Sequence, residues 1–336
     1  MSDVRIIIGN AVDALKSLPS ESVDCIVTSP PYWALRDYGN PPSVWGGDSG
    51  CEHQWREYTQ SPRGGTSSSA VVYANRNGKA NNRGHPTVGA FCTKCGAWKG
   101  QLGLEPTPRL YIEHLTEVFG EARRVLKDTG SLWVNLGDTY SLKDTAVLSY
   151  ADGDCGHLPT GCPKGSLCQI PSRFALAMTD LGWVLRNRII WHKPNAMPCS
   201  QTDRFTVDFE EVFFFAKSQD YYFVPQKEKS VGTDDTDGTR NMRTTWSIPL
   251  VASRTGHVAT FPPRLAEIPI SASCPQGGTV LDPFCGSGTV LEVARKHGAD
   301  CIGIDINPGF EKMMRERAMA GIPQLDNWIE MGATEH

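Results

Sequence analysis

Thr279-Val280-Leu281-Asp282-Pro283-Phe284-Cys285-Gly286-Ser287-Gly288-Thr289 is a short apolar run closed by an acidic residue, then a turn with two glycines, then the start of a segment with helical spacing. The succession predicts a buried parallel strand ending at Asp282, a tight turn, and a helix over 289–297. Such a turn presents backbone N–H groups to a ligand where the helix begins. The strand expected next, over 301–304, delivers Asp305, whose carboxylate suits the hydroxyls of a ribose. A nucleoside-containing cofactor is implied. The other reading of this stretch, taken alone, is an ordinary strand-to-helix turn. Leu291 stands where a dinucleotide motif would carry its third glycine, and the Gly-Lys-Ser/Thr of a phosphate-cradling loop is absent.

Far earlier in the chain, Cys25-Ile26-Val27 is a second apolar run of this kind, and Thr28-Ser29-Pro30-Pro31-Tyr32-Trp33 follows it. Loops at the carboxyl ends of parallel strands are where an open α/β sheet binds ligands. Along the chain, strands are expected over 4–8, 23–27, 131–136, 184–191 and 211–216, and helices over 11–18, 111–126 and 171–181. After them come a helix over 265–272, strands over 280–281 and 301–304, and helices over 289–297 and 310–319. Strands alternating with helices argue a doubly wound, mostly parallel α/β sheet. Two regions interrupt it. Residues 40–108 turn to Gly, Ser, Asn, Pro and Arg and lose periodicity, which reads as an insertion, and residues 218–256 are polar and irregular. The expected divisions are 1–39 and 109–217 for a catalytic half, 40–108 for the insertion, 218–256 for target recognition and 257–336 for the cofactor half.

The chain has 336 residues, 40% of them hydrophobic, enough for one large domain with an insertion or a small second lobe. No export signal or membrane-length apolar stretch is legible, so the expected location is cytoplasmic, and the eleven cysteines read as thiols or metal ligands rather than disulfides. A net charge of −4 does not advertise a polyanion partner, so any such surface must be local. Arg186, Arg188, His192, Lys193 and Arg204, near Trp191, form the obvious run. A solvated face is the plainer reading of it.

Taken together, Asp282 to Thr289 and Ser29-Pro30-Pro31-Tyr32 resemble the cofactor and catalytic motifs of the amino-group DNA methyltransferases that use S-adenosylmethionine. Ile189-Ile190-Trp191-His192-Lys193-Pro194-Asn195, Phe209-Glu210-Glu211-Val212-Phe213-Phe214-Phe215 and His257-Val258-Ala259-Thr260-Phe261-Pro262 are similar to further segments of that family, in the same order. With the catalytic motif ahead of the cofactor motif, the order resembles the permuted beta group. The resemblance covers most of the chain apart from about 40–90 and 226–252. It implies a Rossmann-like fold, double-stranded DNA as partner, and cofactor contacts from Asn10, Thr260, Phe261, Asp282, Phe284, Cys285, Gly286, Ser287, Gly288, Thr289 and Asp305. The family usually carries Gly-Asp near the amino terminus. Here Gly9-Asn10 stands there, and the asparagine still offers a carbonyl acceptor. A monomer or homodimer and a cognate restriction endonuclease are left open, with a bacterial or phage-infected host cell as the setting.

The catalytic tetrapeptide has a physical rationale. The lone pair of an exocyclic amino group is delocalised into the base, so the nitrogen is a poor nucleophile. A Ser29 hydroxyl and a Pro30 carbonyl accepting both amino hydrogens favour a more tetrahedral nitrogen and stabilise its developing charge. Pro30 and Pro31 stiffen the loop. Tyr32 can stack on a flipped base, with Trp33 packed behind. Ser at the first position suggests N4 of cytosine, where Asp or Asn would more often accompany N6 of adenine. Carbon-5 methylation needs a Pro-Cys motif after the cofactor motif, and Pro198-Cys199 lies before it. An RNA or protein amino methyltransferase would usually place its Pro-Pro-Tyr motif after the cofactor motif. A non-catalytic DNA-binding descendant would be expected to lose Ser29, Tyr32 or Asp282.

Cys51, His53, Cys92 and Cys95 flank the glycine-rich insertion and satisfy tetrahedral zinc in type and number, as a structural rather than a catalytic ion. Four unrelated residues are the alternative. Cys155, His157, Cys162 and Cys168 form a second, irregularly spaced set. DNA contacts are expected from Arg36, Lys193, Arg204, Arg240 and Arg243, with Gln201 and Asn241 among them and Arg63, Arg76 and Arg83 adding a second surface.

Overall fold

Val23–Thr28 is buried at every position, and a strand with no solvated face must sit between two neighbours and under cover on both sides. The computed structural model, which describes residues 3–60, 87–229, 238–251 and 262–320, places it that way. In chain order the strands are β1 (Val4–Ile8), β2 (Val23–Thr28), β3 (Ser43–Trp45), β4 (Trp55–Gln60), β5 (Thr87–Cys92), β6 (Trp98–Gly100), β7 (Leu126–Leu136), β8 (Thr145–Tyr150), β9 (Cys155–Pro159), β10 (Val184–His192), β11 (Phe209–Ala216), β12 (Lys227–Lys229), β13 (Thr239–Asn241), β14 (Thr245–Ser247), β15 (Thr279–Asp282) and β16 (Asp300–Asp305). The helices are α1 (Ala11–Lys16), α2 (Pro108–Val125), α3 (Ile170–Asp180), α4 (Arg264–Ser273), α5 (Thr289–Lys296) and α6 (Glu311–Ala320).

The main sheet has the order β1-β16-β15-β2-β7-β11-β10-β14. From β1 to β7 every pairing is parallel, β11 runs antiparallel to both of its neighbours, and β14 is parallel to β10. The mostly parallel sheet expected from the sequence is the fold. Alternation along the central strands sorts side chains to two faces. Ile26, Leu132, Phe213 and Phe215 pack with α1, α2 and α3, while Cys25, Val27, Trp133 and Phe214 pack with α4, α5 and α6. Trp133 and Phe214, neighbours across β7 and β11, lie flat on one another with centroids 4.1 Å apart.

α2 shows how local chemistry sets an element. Thr107 caps it by accepting from Leu110 N, Pro108 opens it where no N–H is needed, and its buried stripe runs through Tyr111, Leu115, Val118, Phe119 and Ala122. The strand expected from residue 131 begins instead at Leu126, directly after the helix, and its pairing with β2 slips between Val23 and Cys25 to accommodate the extra length. Among the described residues no helix is long and apolar enough to cross a membrane.

Two stretches differ from their expected setting. Residues 145–159, placed within 109–217 by sequence, form the β8-β9 hairpin and pair with β4, completing a second sheet of order β3-β6-β5-β4-β8-β9. Within the irregular 218–256, β14 joins the main sheet beside β10 and β12 pairs with β13. Both outcomes depend on partners distant in sequence.

The layer between sheet and helices α2 and α3 depends on Phe174, fully buried against Phe119, Phe213 and Phe215 with centroids 5.4 to 6.0 Å away. Phe174→Ala is expected to destabilise the fold by about 3–5 kcal/mol. Urea unfolding checks this as a lower midpoint at unchanged slope.

Candidate active site

β2 and β15 are parallel neighbours, and at their carboxyl ends Thr28 Oγ1 donates to Asp282 Oδ1 at 2.6 Å. From this junction the chain continues into β7 on one side and β16 on the other, so the crevice is where the strand order turns outward in both directions. Asp282 is 2% exposed. Burial pushes its carboxyl up to about 7, against the lowering effect of the Thr28 hydroxyl and the Phe284 N–H, and the nearby Asp305 charge adds to the rise.

The glycine turn is built as its sequence predicts. Gly286 and Gly288 take φ of +51° and +87°, and a Cβ on Gly288 would come 3.0 Å from the Met314 backbone, so only glycine fits there. Phe284 N donates to Asp282, and Gly286 N to Asp305 Oδ2 at 2.8 Å, which ties the turn to the end of the next strand. Burial raises the Asp305 carboxyl from its ordinary value, opposed by the N–H groups of Asn307 and Gly286. Asp282, Phe284, Cys285, Gly286, Ser287, Thr289 and Asp305 all line one cavity of about 240 Å³. Gly288 does not line it; its part is the left-handed turn that starts α5. Ser287 Oγ is buried with no hydrogen-bond partner among the described residues, an orphaned group on the cavity wall. Asn10 reaches the same wall, but its Oδ1 already accepts from Val12 N at 2.8 Å as the cap of α1, so the carbonyl expected to face a ligand is shared with the helix. Thr260 and Phe261 lie outside the described residues.

The second motif forms the opposite wall. Ser29, Pro30, Pro31 and Tyr32 line the cavity together with Asn135, Trp191, Lys193 and Glu210. Tyr111 Oη donates to the Pro31 carbonyl at 2.8 Å, whereas no described residue hydrogen-bonds the Pro30 carbonyl, which keeps it available as an acceptor. The Tyr32 ring lies against Gly137, where a Cβ would come 2.8 Å from Cε2. Its hydroxyl is 2.6 Å from Glu210 Oε2 and 2.9 Å from Asn135 Oδ1, and Ser29 Oγ donates to it at 3.4 Å. Burial, reinforced by the Glu210 charge, raises the Tyr32 phenol well above its ordinary value, so it stays a donor. Trp33 packs behind the loop as expected, its Nε1 donating to the Glu105 carbonyl.

Glu210 and Asn135 carry much of this geometry and were not singled out from the sequence; the signal available was the apolar strand on which each interrupts the pattern. Lys193, expected to contact DNA, is 6% exposed and faces the cavity, paired with Glu210 Oε1 at 2.6 Å because a charge this deep requires a counter-charge. Arg36 likewise lines the cavity rather than an outer face. In the rest of the basic run, Arg188 pairs with Glu211, Arg204 pairs with Asp203 while lying over the Tyr140 ring, and Arg186 donates to Tyr221 Oη. Arg240 and Arg243 share Glu228 beside the β12-β13 hairpin. Arg63, Arg76 and Arg83 fall outside the described residues.

The insertion brings its expected ligands together. Cys51, His53, Cys92 and Cys95 place their ligand atoms within 4.8 Å of one another. The second set does not assemble among the described residues: Cys155 is exposed on β9, whereas Cys162 and Cys168 are buried beside Arg173.

A family model for N6/N4 DNA methylases matches residues 23–316. The type II methyltransferase M.SmaI of Serratia marcescens is 32% identical over 322 residues, covering 94% of this chain and 90% of its own. M.Cfr9I of Citrobacter freundii, also a type II methyltransferase, is 35% identical over 312 residues, covering 90% and 83%. Among solved structures, the PvuII DNA methyltransferase (cytosine-N4-specific) has a TM-score of 0.57 at 18% identity, over 94% of this chain and 86% of that one. The M1.HpyAVI–SAM complex gives 0.50 at 16%, over 94% and 98%. At such identities these two likenesses speak for the fold, and they agree with the sheet described above.

The raised Asp282 carboxyl has a consequence for stability. An unfolded chain releases that proton near pH 4, whereas the folded protein holds it to about 7, so the folded state binds more protons in between and stability falls as pH rises through that window. Asp282→Asn, which keeps an acceptor for Thr28, is expected to flatten this slope. Urea unfolding of both proteins at pH 5 and pH 8 checks it; equal slopes would remove the effect from Asp282.

Proposed function

The chain belongs to the N6/N4 DNA methylase family, and from that premise we propose that it is a site-specific type II enzyme that transfers the methyl group of S-adenosylmethionine to N4 of a cytosine flipped out of double-stranded DNA. The observation that carries the reading is the single cavity walled by Ser29-Pro30-Pro31-Tyr32 on one side and the Asp282 to Thr289 turn on the other.

When bound, S-adenosylmethionine supplies an electrophilic methyl group on a sulfonium sulfur. The orphaned Ser287 hydroxyl and the Asp305 carboxylate at the end of β16 fit the polar edge of such a nucleoside. Ser29 Oγ and the unclaimed Pro30 carbonyl accept the two amino hydrogens of the base and draw its lone pair out of the ring. Tyr111 steadies the loop through Pro31, and Glu210 steadies Tyr32, so the stacking ring for a flipped base is held before DNA arrives. Cytosine is chosen over adenine on Ser29, a hydroxyl at the first position of the motif. Arg204, Arg240 and Arg243 are assigned to DNA outside the cavity, and Lys193 and Arg36 within it. No step of transfer calls on a metal, so zinc on Cys51, His53, Cys92 and Cys95 would act in support.

Purified protein is expected to move labelled methyl groups from S-adenosylmethionine to unmethylated duplex DNA, and Ser29→Ala and Asp282→Ala to reduce the rate at least about 10²-fold. Nucleoside mass spectrometry of the product should show N4-methylcytosine. N6-methyladenine in its place would overturn the choice of base.

A further inference from the structure

We propose that Cys51, His53, Cys92 and Cys95 form a structural zinc site, and that the ion fixes the wall of the reaction cavity contributed by the inserted sheet. The second half of this statement rests on the methyl-transfer reading of that cavity.

The ligand geometry is that of a tetrahedron. Bond lengths of about 2.3 Å to sulfur and about 2.0–2.1 Å to nitrogen give tetrahedral edges of about 3.8 Å between two sulfurs and about 3.5 Å between sulfur and nitrogen. Cys51 Sγ and Cys92 Sγ are 3.9 Å apart, and Cys95 Sγ and His53 Nδ1 are 3.4 Å apart. A disulfide would bring its sulfurs to about 2.05 Å. Three thiols and an imidazole in this arrangement select zinc over harder cations. Two turns present the ligands. Cys92 ends β5, and Gly96, at φ +75°, donates to the Cys92 carbonyl to close the turn bearing Cys95. Opposite, Cys51 N donates to the Asp48 carbonyl ahead of His53.

The same segments run directly to the cavity. Gly47 passes so close to Cys95 that a Cβ would lie 2.9 Å from its sulfur. Just before it, Ser43 and Trp45 line the cavity, held on β3 by pairing with β6. Trp45 and Trp98 both stack on His114 at 5.2 Å, and His114 bonds the fully buried Glu105. From β6 the chain gives Gln101 and Leu102 to the cavity, and then Gly103, whose carbonyl accepts from Ala34 N at 2.8 Å, immediately after the catalytic loop. β3 and β6 have three residues each, too short to hold that wall through their own ladder, and a metal tie supplies what apolar burial does not.

The full chain, purified without added metal or chelator, is expected to carry about one zinc per molecule by elemental mass spectrometry, and Cys92→Ser/Cys95→Ser less than about a tenth. Wild-type protein stripped with 1,10-phenanthroline guards against a variant that fails to fold. Hydrogen exchange of residues 43–47 and 97–105 should then accelerate at least about tenfold, with 279–282 unchanged and zinc re-addition restoring protection. Equal metal content in wild type and variant overturns the site. Zinc loss without faster exchange at 97–105 overturns the wall. Neither measurement uses DNA or a methyl donor, so both stand apart from the outcome of a transfer assay.

Discussion

The hydrogen bond from Thr28 to Asp282 joins two strand ends that are adjacent in the sheet and 254 positions apart in the chain. Around it the rest of the site is arranged. Asp282 must be buried for β2 and β15 to meet there, and a buried carboxylate without partners would be strongly disfavoured. The Thr28 hydroxyl, at the end of β2, and the Phe284 N–H, in the glycine turn, supply those partners. The two motif loops thus leave the sheet from strand ends that are tied to one another.

A second carboxylate organises the opposite wall. Glu210 takes Tyr32 on one oxygen and Lys193 on the other, so one side chain places the Tyr32 ring and keeps a cation inside the cavity. Arg188 is matched to Glu211 one residue further along the same strand. Two side chains of the basic run are thus matched in place by carboxylates on β11.

The inserted sheet is part of the same assembly rather than an appendage. Trp33 reaches Glu105, Ala34 bonds Gly103, and Trp45 shares His114 with Trp98, so the loop after Ser29-Pro30-Pro31-Tyr32 and the ends of β3 and β6 form one packed unit. Its coherence comes from stacked rings and buried polar bonds, because its strands are short and much of the insertion is poor in apolar residues. Three thiols and an imidazole gather beside the turn between β5 and β6 of the same unit.

The sequence by itself determined the alternating α/β order, the two motif loops, the glycine turn and the Cys/His set of the insertion. Each is written in local chemistry: apolar runs of strand length, two glycines in a turn, prolines that stiffen a loop, and two thiols with two residues between them. Tertiary structure alone decided that Lys193 and Arg36 face the cavity instead of an outer surface, and that Asn10 uses its carbonyl as a helix cap. It also decided that the hairpin at 145–159 completes the inserted sheet and that Glu210 is the hub of the wall built on Ser29-Pro30-Pro31-Tyr32. These outcomes turn on which distant group meets a charge or a strand edge, and burial and pairing of that kind are set by the whole packed chain rather than by neighbours in sequence.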